Sequence, residues 1–244
     1  MLTGMSPSDA HLNAAIARSR PQQCSITVGV HPDGRAYFAS MAKTIAALQA
    51  ESATLVSAFG ELGLDYDHLA WAGEDVQMRT FRAQLELLVG AAYDVPLFLH
   101  CRAAFEDFVG VLEAYVARLL RRGLVHSFVG SAAQMGRLVE MGFDVSVSGF
   151  AFREGVGEMV GEVPLGRLQL ETDAPWGRYL VDAPVLAAGK KRDRFVVGAM
   201  VKERNESCAM SQVAFVVAGV KGLSVEEVAR AAWENSTAMF RLGA

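Results

Sequence analysis

Six short runs recur along the chain that are apolar on both faces. They are residues 25–30 (SITVGV), 54–59 (TLVSAF), 96–100 (PLFLH), 123–126 (GLVH), 143–147 (FDVSV) and 168–171 (LQLE). A strand with one wet face alternates apolar and polar residues, whereas a strand covered on both faces does not; runs of this second kind belong to parallel sheets sheathed by helices. Stretches of helical periodicity lie between them, at residues 37–51, 75–93, 105–122, 132–141, 208–220 and 225–241. In the second, Phe81, Leu85, Leu88 and Ala92 form one apolar stripe. The last opens on Ser224 with Glu227 three residues on, a capping box. Residues 10–18 form a further, Ala-rich helical stretch that carries His11. Repeated strand–helix units predict a parallel α/β fold. Six such units stand two short of the eight that close a TIM barrel, so the expected architecture is TIM-barrel-like but incomplete.

Size and composition agree with this expectation and narrow the functional classes. A chain of 244 residues suits one domain of this type, and 52% hydrophobic residues supply a large core. No apolar run approaches the roughly 18–20 residues that a membrane span needs, and no secretory pattern opens the chain. The three cysteines, Cys24, Cys101 and Cys208, are odd in number and form no CxxC pair. Free thiols in a reducing compartment are expected, which means cytoplasm or nucleus. A net charge of −4 argues against a broad basic surface for nucleic acid. Any phosphate must be attracted locally, by bound cations or a few basic side chains. One basic cluster is available: Lys190, Lys191, Arg192, Arg194 and Lys202, within a Gly- and Pro-containing stretch at residues 177–202. It reads either as a solvated loop or as a phosphate-contacting one.

Four polar residues sit where apolar runs end: Glu61, His100, His126 and Asp173. A fifth, His31, ends the first run. In parallel α/β folds the carboxyl ends of the strands face one cleft, so these side chains are expected to converge. Two imidazoles and two carboxylates make a ligand set for Zn, Mn or Mg. Taken singly, each has a plainer reading: a hydrogen-bonded strand-end histidine, a turn-forming Asp before Ala174–Pro175, a strand-end cap at Glu61. Their conjunction favours a metal site. His68, in the loop after Asp65, and His11 are expected to be exposed.

Around these residues the sequence resembles the TatD deoxyribonuclease family. The motifs occur in order: Val28-Gly29-Val30-His31-Pro32, Gly60-Glu61-Leu62-Gly63-Leu64-Asp65-Tyr66, Pro96-Leu97-Phe98-Leu99-His100-Cys101-Arg102, Val125-His126-Ser127-Phe128 and Glu171-Thr172-Asp173-Ala174-Pro175-Trp176. Arg204-Asn205-Glu206 matches a further motif, with Ser207 replacing its proline, and Cys208 with residues 216–220 is similar to the eukaryotic branch. The resemblance runs from about residue 25 to the end, leaving residues 1–24 poorly matched. It implies an α/β barrel that hydrolyses DNA phosphodiesters with divalent cations, up to two of them. It further implies that Glu61 bridges the metals, that His100 and His126 hold one with it, and that Asp173 serves the other and helps to activate water. Arg102 and Arg204 become candidates for substrate phosphate, and His31 is expected at the rim. DNA is the expected partner, with no membrane and no obligate protein partner.

The sequence departs from the family at its start. The family opens on Asp-x-His-x-His, and no His-x-His occurs here. The first two strands are therefore expected to be missing, leaving one well-formed metal site, a second depleted one and two unpaired sheet edges. The ligand set does not by itself fix the substrate. A nuclease, an amide or ester hydrolase, and an inactive or partner-binding remnant all remain open at this point.

Overall fold

The computed structural model describes residues 1–32, 38–51, 55–152, 157–176 and 204–242. The basic cluster at residues 190–202 lies outside them. The chain divides into two compact units, one of Met1–His126, Met141–Phe143 and Ser236–Ala244, the other of Ser127–Glu140 and Asp144–Asn235.

In the first unit four strands lie side by side in chain order: β1 (Ile26–Val28), β2 (Val56–Asp65), β3 (Leu97–Arg102) and β4 (Gly123–Val125). All three pairings are parallel. Helices α1 (Pro7–Ser19), α2 (Phe38–Glu51), α3 (Glu74–Gly90) and α4 (Phe105–Val116) connect or flank them. The strands read as continuous apolar runs because both faces are covered: every residue of β1 and β2 is buried. Phe81 of α3 stacks on Phe108 of α4, with ring centroids 5.4 Å apart, and both are fully enclosed. Burying a side chain of this size stabilises by roughly 1.5–3 kcal/mol.

The second unit pairs β5 (Asp144–Val147) with β6 (Leu168–Leu170), again parallel. It also holds α5 (Ala132–Glu140), α6 (Gly157–Glu162) and α7 (Met210–Lys221). Most of α8 (Val225–Phe240) belongs here, while its last turn belongs to the first unit. The capping box of α8 forms as expected: Glu227 N donates to Ser224 Oγ, and Ser224 N donates to Glu227 Oε2 at 2.9 Å.

All six expected strands are present, but three expectations need correction. First, α4 ends at Val116 rather than at residue 122. The following residues turn back, with Arg118 N and Leu119 N both donating to Tyr115 O. That turn delivers Gly123 against Leu97, so closely that a Cβ would stand 2.0 Å from the Leu97 carbonyl oxygen. Second, Glu61 and His100 lie inside their strands, since β2 continues to Asp65 and β3 to Arg102. The register shifts between Gly60, paired with Phe98, and Leu62, paired with Leu99, so Glu61 is the extra residue of a bulge. Bulges of this kind redirect a side chain without ending the strand.

Third, the outer edge of β1 is not bare. Leu2 bridges Ile26 in parallel: Leu2 N donates to Ser25 O at 2.8 Å, and Thr27 N to Leu2 O at 3.0 Å. Farther along, Gly4 N donates to the buried Thr27 hydroxyl. Residues 2–5 thus run along β1 as an extra extended segment. They satisfy groups that would otherwise each cost on the order of 1–3 kcal/mol if buried unpaired.

Candidate metal centre

Four of the five predicted site residues lie in the first unit, and the fold brings all four together. Glu61 Oε1 is 2.7 Å from His100 Nδ1 and 2.6 Å from His126 Nε2, and those two nitrogens are 3.0 Å apart. His31 Nε2 stands 3.5 Å from the same carboxylate oxygen. The His31 ring meets the His100 ring edge-on, with centroids 4.8 Å apart. All four side chains are buried. His31 was expected at the rim; it is instead enclosed, only 6% exposed, as part of the group. Phe98, one pleat before His100, stacks on the His126 ring at 4.9 Å and closes one side of the site with hydrocarbon.

This donor set suits a divalent cation. Two imidazole nitrogens and a carboxylate oxygen, all electron-rich, converge in a site walled from water. Ligand atoms about 2.0–2.2 Å from one ion stand roughly 3.0–3.6 Å from one another; the triangle, with sides of 2.6, 2.7 and 3.0 Å, is drawn in to hydrogen-bond length and would open by several tenths of an ångström around an ion. His31, Glu61 and His100 each offer a ligand atom within 4.8 Å of the others. Burial pushes the Glu61 carboxyl towards its neutral form, but His126, His100 and His31 outweigh that effect and hold it well below the usual carboxylate range. It is therefore an anion at neutral pH, as a metal ligand must be. Burial pushes the thiol of Cys101, next to His100, up to about 12, against the smaller opposing effect of Arg102.

Local backbone structure explains how the strands deliver these groups. Residues 2–5 hold two of them: His31 N donates to Met5 O, and Glu61 N to Gly4 O at 3.2 Å. Helix α3 holds two strand ends by buried glutamines seven residues apart. Gln84 accepts from Val30 N at 2.8 Å and donates to Val30 O at 3.0 Å, immediately before His31. Gln77 does the same to Asp65, accepting from its N and donating to its O, both at 2.7 Å, and also donates to Ala72 O. Strands β2 and β3 approach very closely here. At Gly63, with φ +150°, a Cβ would stand 1.9 Å from the His100 carbonyl oxygen, so only glycine admits the contact.

Asp173 lies in the second unit, beyond the end of β6, with a positive φ of 55°. Its loop is tied by Asn205, whose Nδ2 donates to Thr172 O at 2.6 Å and to Trp176 O at 2.5 Å. Asn205 is 1% exposed. Its neighbour Arg204, the expected phosphate contact, is 62% exposed at the side chain and paired with Glu206. Arg102 is half-buried at the end of β3. His11 is exposed, as expected. His68 is more than half exposed but is not idle: its Nδ1 is 2.7 Å from Asp65 Oδ2.

Sequence reasoning overlooked Asp65, Gln77, Gln84 and Asn205. Asp65 and Asn205 stood inside quoted motifs, so the signal was present and was assigned to their neighbours. The glutamines carried a weaker signal, two amide side chains on the face of an otherwise apolar helical stripe.

The model of the TatD-related DNase family matches residues 1–241. The chain belongs to that family. The match begins at residue 1, not near residue 25 as the motifs alone suggested. The chain is 39% identical over 228 residues to a protein named deoxyribonuclease Tat-D from Schizosaccharomyces pombe, covering 86% of this chain and 72% of that protein. It is 32% identical over 248 residues to the 3'-5' ssDNA/RNA exonuclease TatD of Erwinia amylovora, covering 99% of this chain and 88% of the relative. Among solved structures it resembles a TatD family hydrolase from Entamoeba histolytica, with a TM-score of 0.83, 22% identity, and 98% and 83% coverage of the two chains. An uncharacterized amidohydrolase from Saccharomyces cerevisiae gives a TM-score of 0.81 at 26% identity, covering 98% of this chain and 87% of its own. The fold is α/β and TIM-barrel-like.

Proposed function

We propose that this TatD-family protein is a divalent-metal-dependent hydrolase that cleaves DNA phosphodiester bonds. The observation that carries the reading is the buried triangle of Glu61, His100 and His126, in a chain matched by the TatD-related DNase model over nearly its whole length. These three residues would hold a metal ion, and His31 orients the Glu61 carboxylate from 3.5 Å. A bound cation supplies Lewis acidity at a phosphoryl oxygen and lowers the pKa of water. Mg, Mn and Zn are the candidates; a set of two nitrogens and one oxygen suits Mn or Zn better than Mg, which prefers oxygen throughout. Glu61 would also be available to a second ion. The motif order supports Asp173 as a further ligand and as the group that takes the proton from attacking water. Arg102, two residues beyond His100, neutralises substrate phosphate, and Arg204 does so if it exchanges Glu206 for substrate. Three unpaired thiols fit a reducing compartment, and we place the protein in the cytoplasm or the nucleus.

The test is cleavage of end-labelled single- and double-stranded DNA with Mg, Mn or Zn, with and without chelator, by the wild type and by Glu61→Gln. Metal-dependent cleavage, abolished by chelator and reduced at least a hundredfold in Glu61→Gln, is expected. Labels at the two ends distinguish 3'-5' exonuclease from internal cutting. Absent or chelator-insensitive cleavage overturns the nuclease reading. Hydrolysis confined to a parallel panel of amides and carboxylic esters would reassign the substrate on the same scaffold.

A further inference from the structure

His100 is buried at both of its ring nitrogens, and only one of them serves the ligand triangle. Nδ1 faces Glu61 and His126, while Nε2 is fully enclosed without a hydrogen bond. The carboxylate of Asp65 stands opposite it, with Oδ2 at 3.3 Å, just out of hydrogen-bond geometry. Asp65 is itself 2% exposed and closely held. Its Oδ1 accepts from Asp67 N at 3.0 Å, its Oδ2 is 2.7 Å from His68 Nδ1, and its backbone N and O are both bound by Gln77. A buried carboxylate fixed on this many sides is aimed by the fold.

We propose that Asp65 is a positioning residue that sets the tautomer and ring orientation of His100, so that Nδ1 presents its lone pair to the metal. This inference rests on the metal reading of the site. The reasoning follows from the two tautomers of a neutral imidazole. With the proton on Nδ1, His100 donates to Glu61, its bare Nε2 lone pair faces an anionic oxygen at 3.3 Å, and the ring cannot ligate through Nδ1. With the proton on Nε2, that N–H faces the carboxylate and the Nδ1 lone pair joins Glu61 and His126, where a cation satisfies all three. A negative charge behind Nε2 thus favours the ligating form and makes Nδ1 a stronger donor. Carboxylates in this position behind metal-bound histidines commonly contribute 10- to 100-fold in metal affinity. Asp65 lies four residues beyond Glu61 on the same strand, so β2 supplies one ligand and the support for another. Gln77 couples that support to α3. His68, more than half exposed, shares the carboxylate oxygen and helps to fix its direction.

The experiment compares wild type and Asp65→Asn, which keeps the shape and an acceptor but removes the charge. Calorimetric titration with Mn gives the metal Kd, and thermal melting in chelator reports whether the metal-free variant folds. Zn-loaded, 15N-labelled wild type reports directly which nitrogen of His100 carries the proton. Cooperative melting of the variant with a Kd weakened 10- to 100-fold is expected, with the His100 proton on Nε2 in the Zn-loaded protein. A folded variant with a Kd within threefold of wild type overturns the proposal, as does a Zn-loaded His100 that bears no proton on Nε2. If the variant does not fold, the wild-type spectrum decides the question. If wild type takes up no metal, the metal reading itself is wrong and this inference falls with it; uptake by wild type with equal uptake by the variant removes this inference alone.

Discussion

Replacing Gln84 by Leu tests whether α3 is a splint for the strand ends or merely a covering helix. The side chain is fully buried, and its amide forms two hydrogen bonds to Val30, one to N at 2.8 Å and one to O at 3.0 Å. Val30 lies beyond Val28, the last paired residue of β1, so no strand ladder takes over these groups. Leucine keeps the size and removes both partners. Each buried backbone group left without a partner costs about 1–3 kcal/mol, which gives roughly 2–6 kcal/mol for the pair. The added leucine returns about 1–2 kcal/mol through its greater hydrophobicity. The midpoints of these ranges leave an expected net loss of about 2.5 kcal/mol, a substantial part of a stability of about 5–15 kcal/mol. The assay is urea unfolding in chelator, comparing midpoints and slopes with wild type. An unchanged slope and a midpoint lowered by the equivalent of more than 1 kcal/mol are expected. A loss below about 0.5 kcal/mol would show that water or a backbone shift satisfies Val30 and would refute the splint argument.

Three further outcomes follow from the same geometry. Gly63→Ala places a Cβ 1.9 Å from the His100 carbonyl oxygen at a backbone φ of +150°; the strands must part, and loss of more than 2 kcal/mol in chemical denaturation is expected, together with weakened metal binding. Asp65 has its carboxyl pKa lowered from its ordinary value of 3.8, because His100 and His68 outweigh the opposing effect of burial. A depressed acid stabilises fully above its unfolded pKa and loses that contribution as pH falls. The stability gap between wild type and Asp65→Asn in chelator should therefore narrow as pH falls below about 4; a gap that widens there contradicts the assignment. Finally, Cys101 is buried with its thiol pushed up to about 12, whereas Cys208 is exposed. A thiol reagent at neutral pH should modify Cys208 in the native protein and reach Cys101 only in denaturant, as peptide mapping would show.

The sequence alone determined the six strands and the parallel class, and singled out Glu61, His100 and His126 as groups expected to converge; the family came separately, from the ordered motifs. These follow from short-range pattern: runs apolar on both faces for covered strands, and polar residues where those runs meet the cleft. The order of the motifs was also legible, because order survives whatever the chain does in space. Tertiary structure decided which groups serve the site from a distance. No local pattern announces that Gln84 of α3 binds Val30 just beyond β1 and Gln77 binds Asp65 at the end of β2, that Asp65 stands behind His100, or that residues 2–5 close the edge of β1. Each is a contact between segments far apart in sequence, with no period of its own. The same holds for the bulge at Glu61: a run that looked finished at Gly60 continues to Asp65, because an extra residue can be absorbed only where a neighbouring strand fixes the register. The bridge of Leu2 to Ile26 was hidden in the same way, since the segment ahead of α1 has no strand pattern of its own and meets β1 only through long-range contacts.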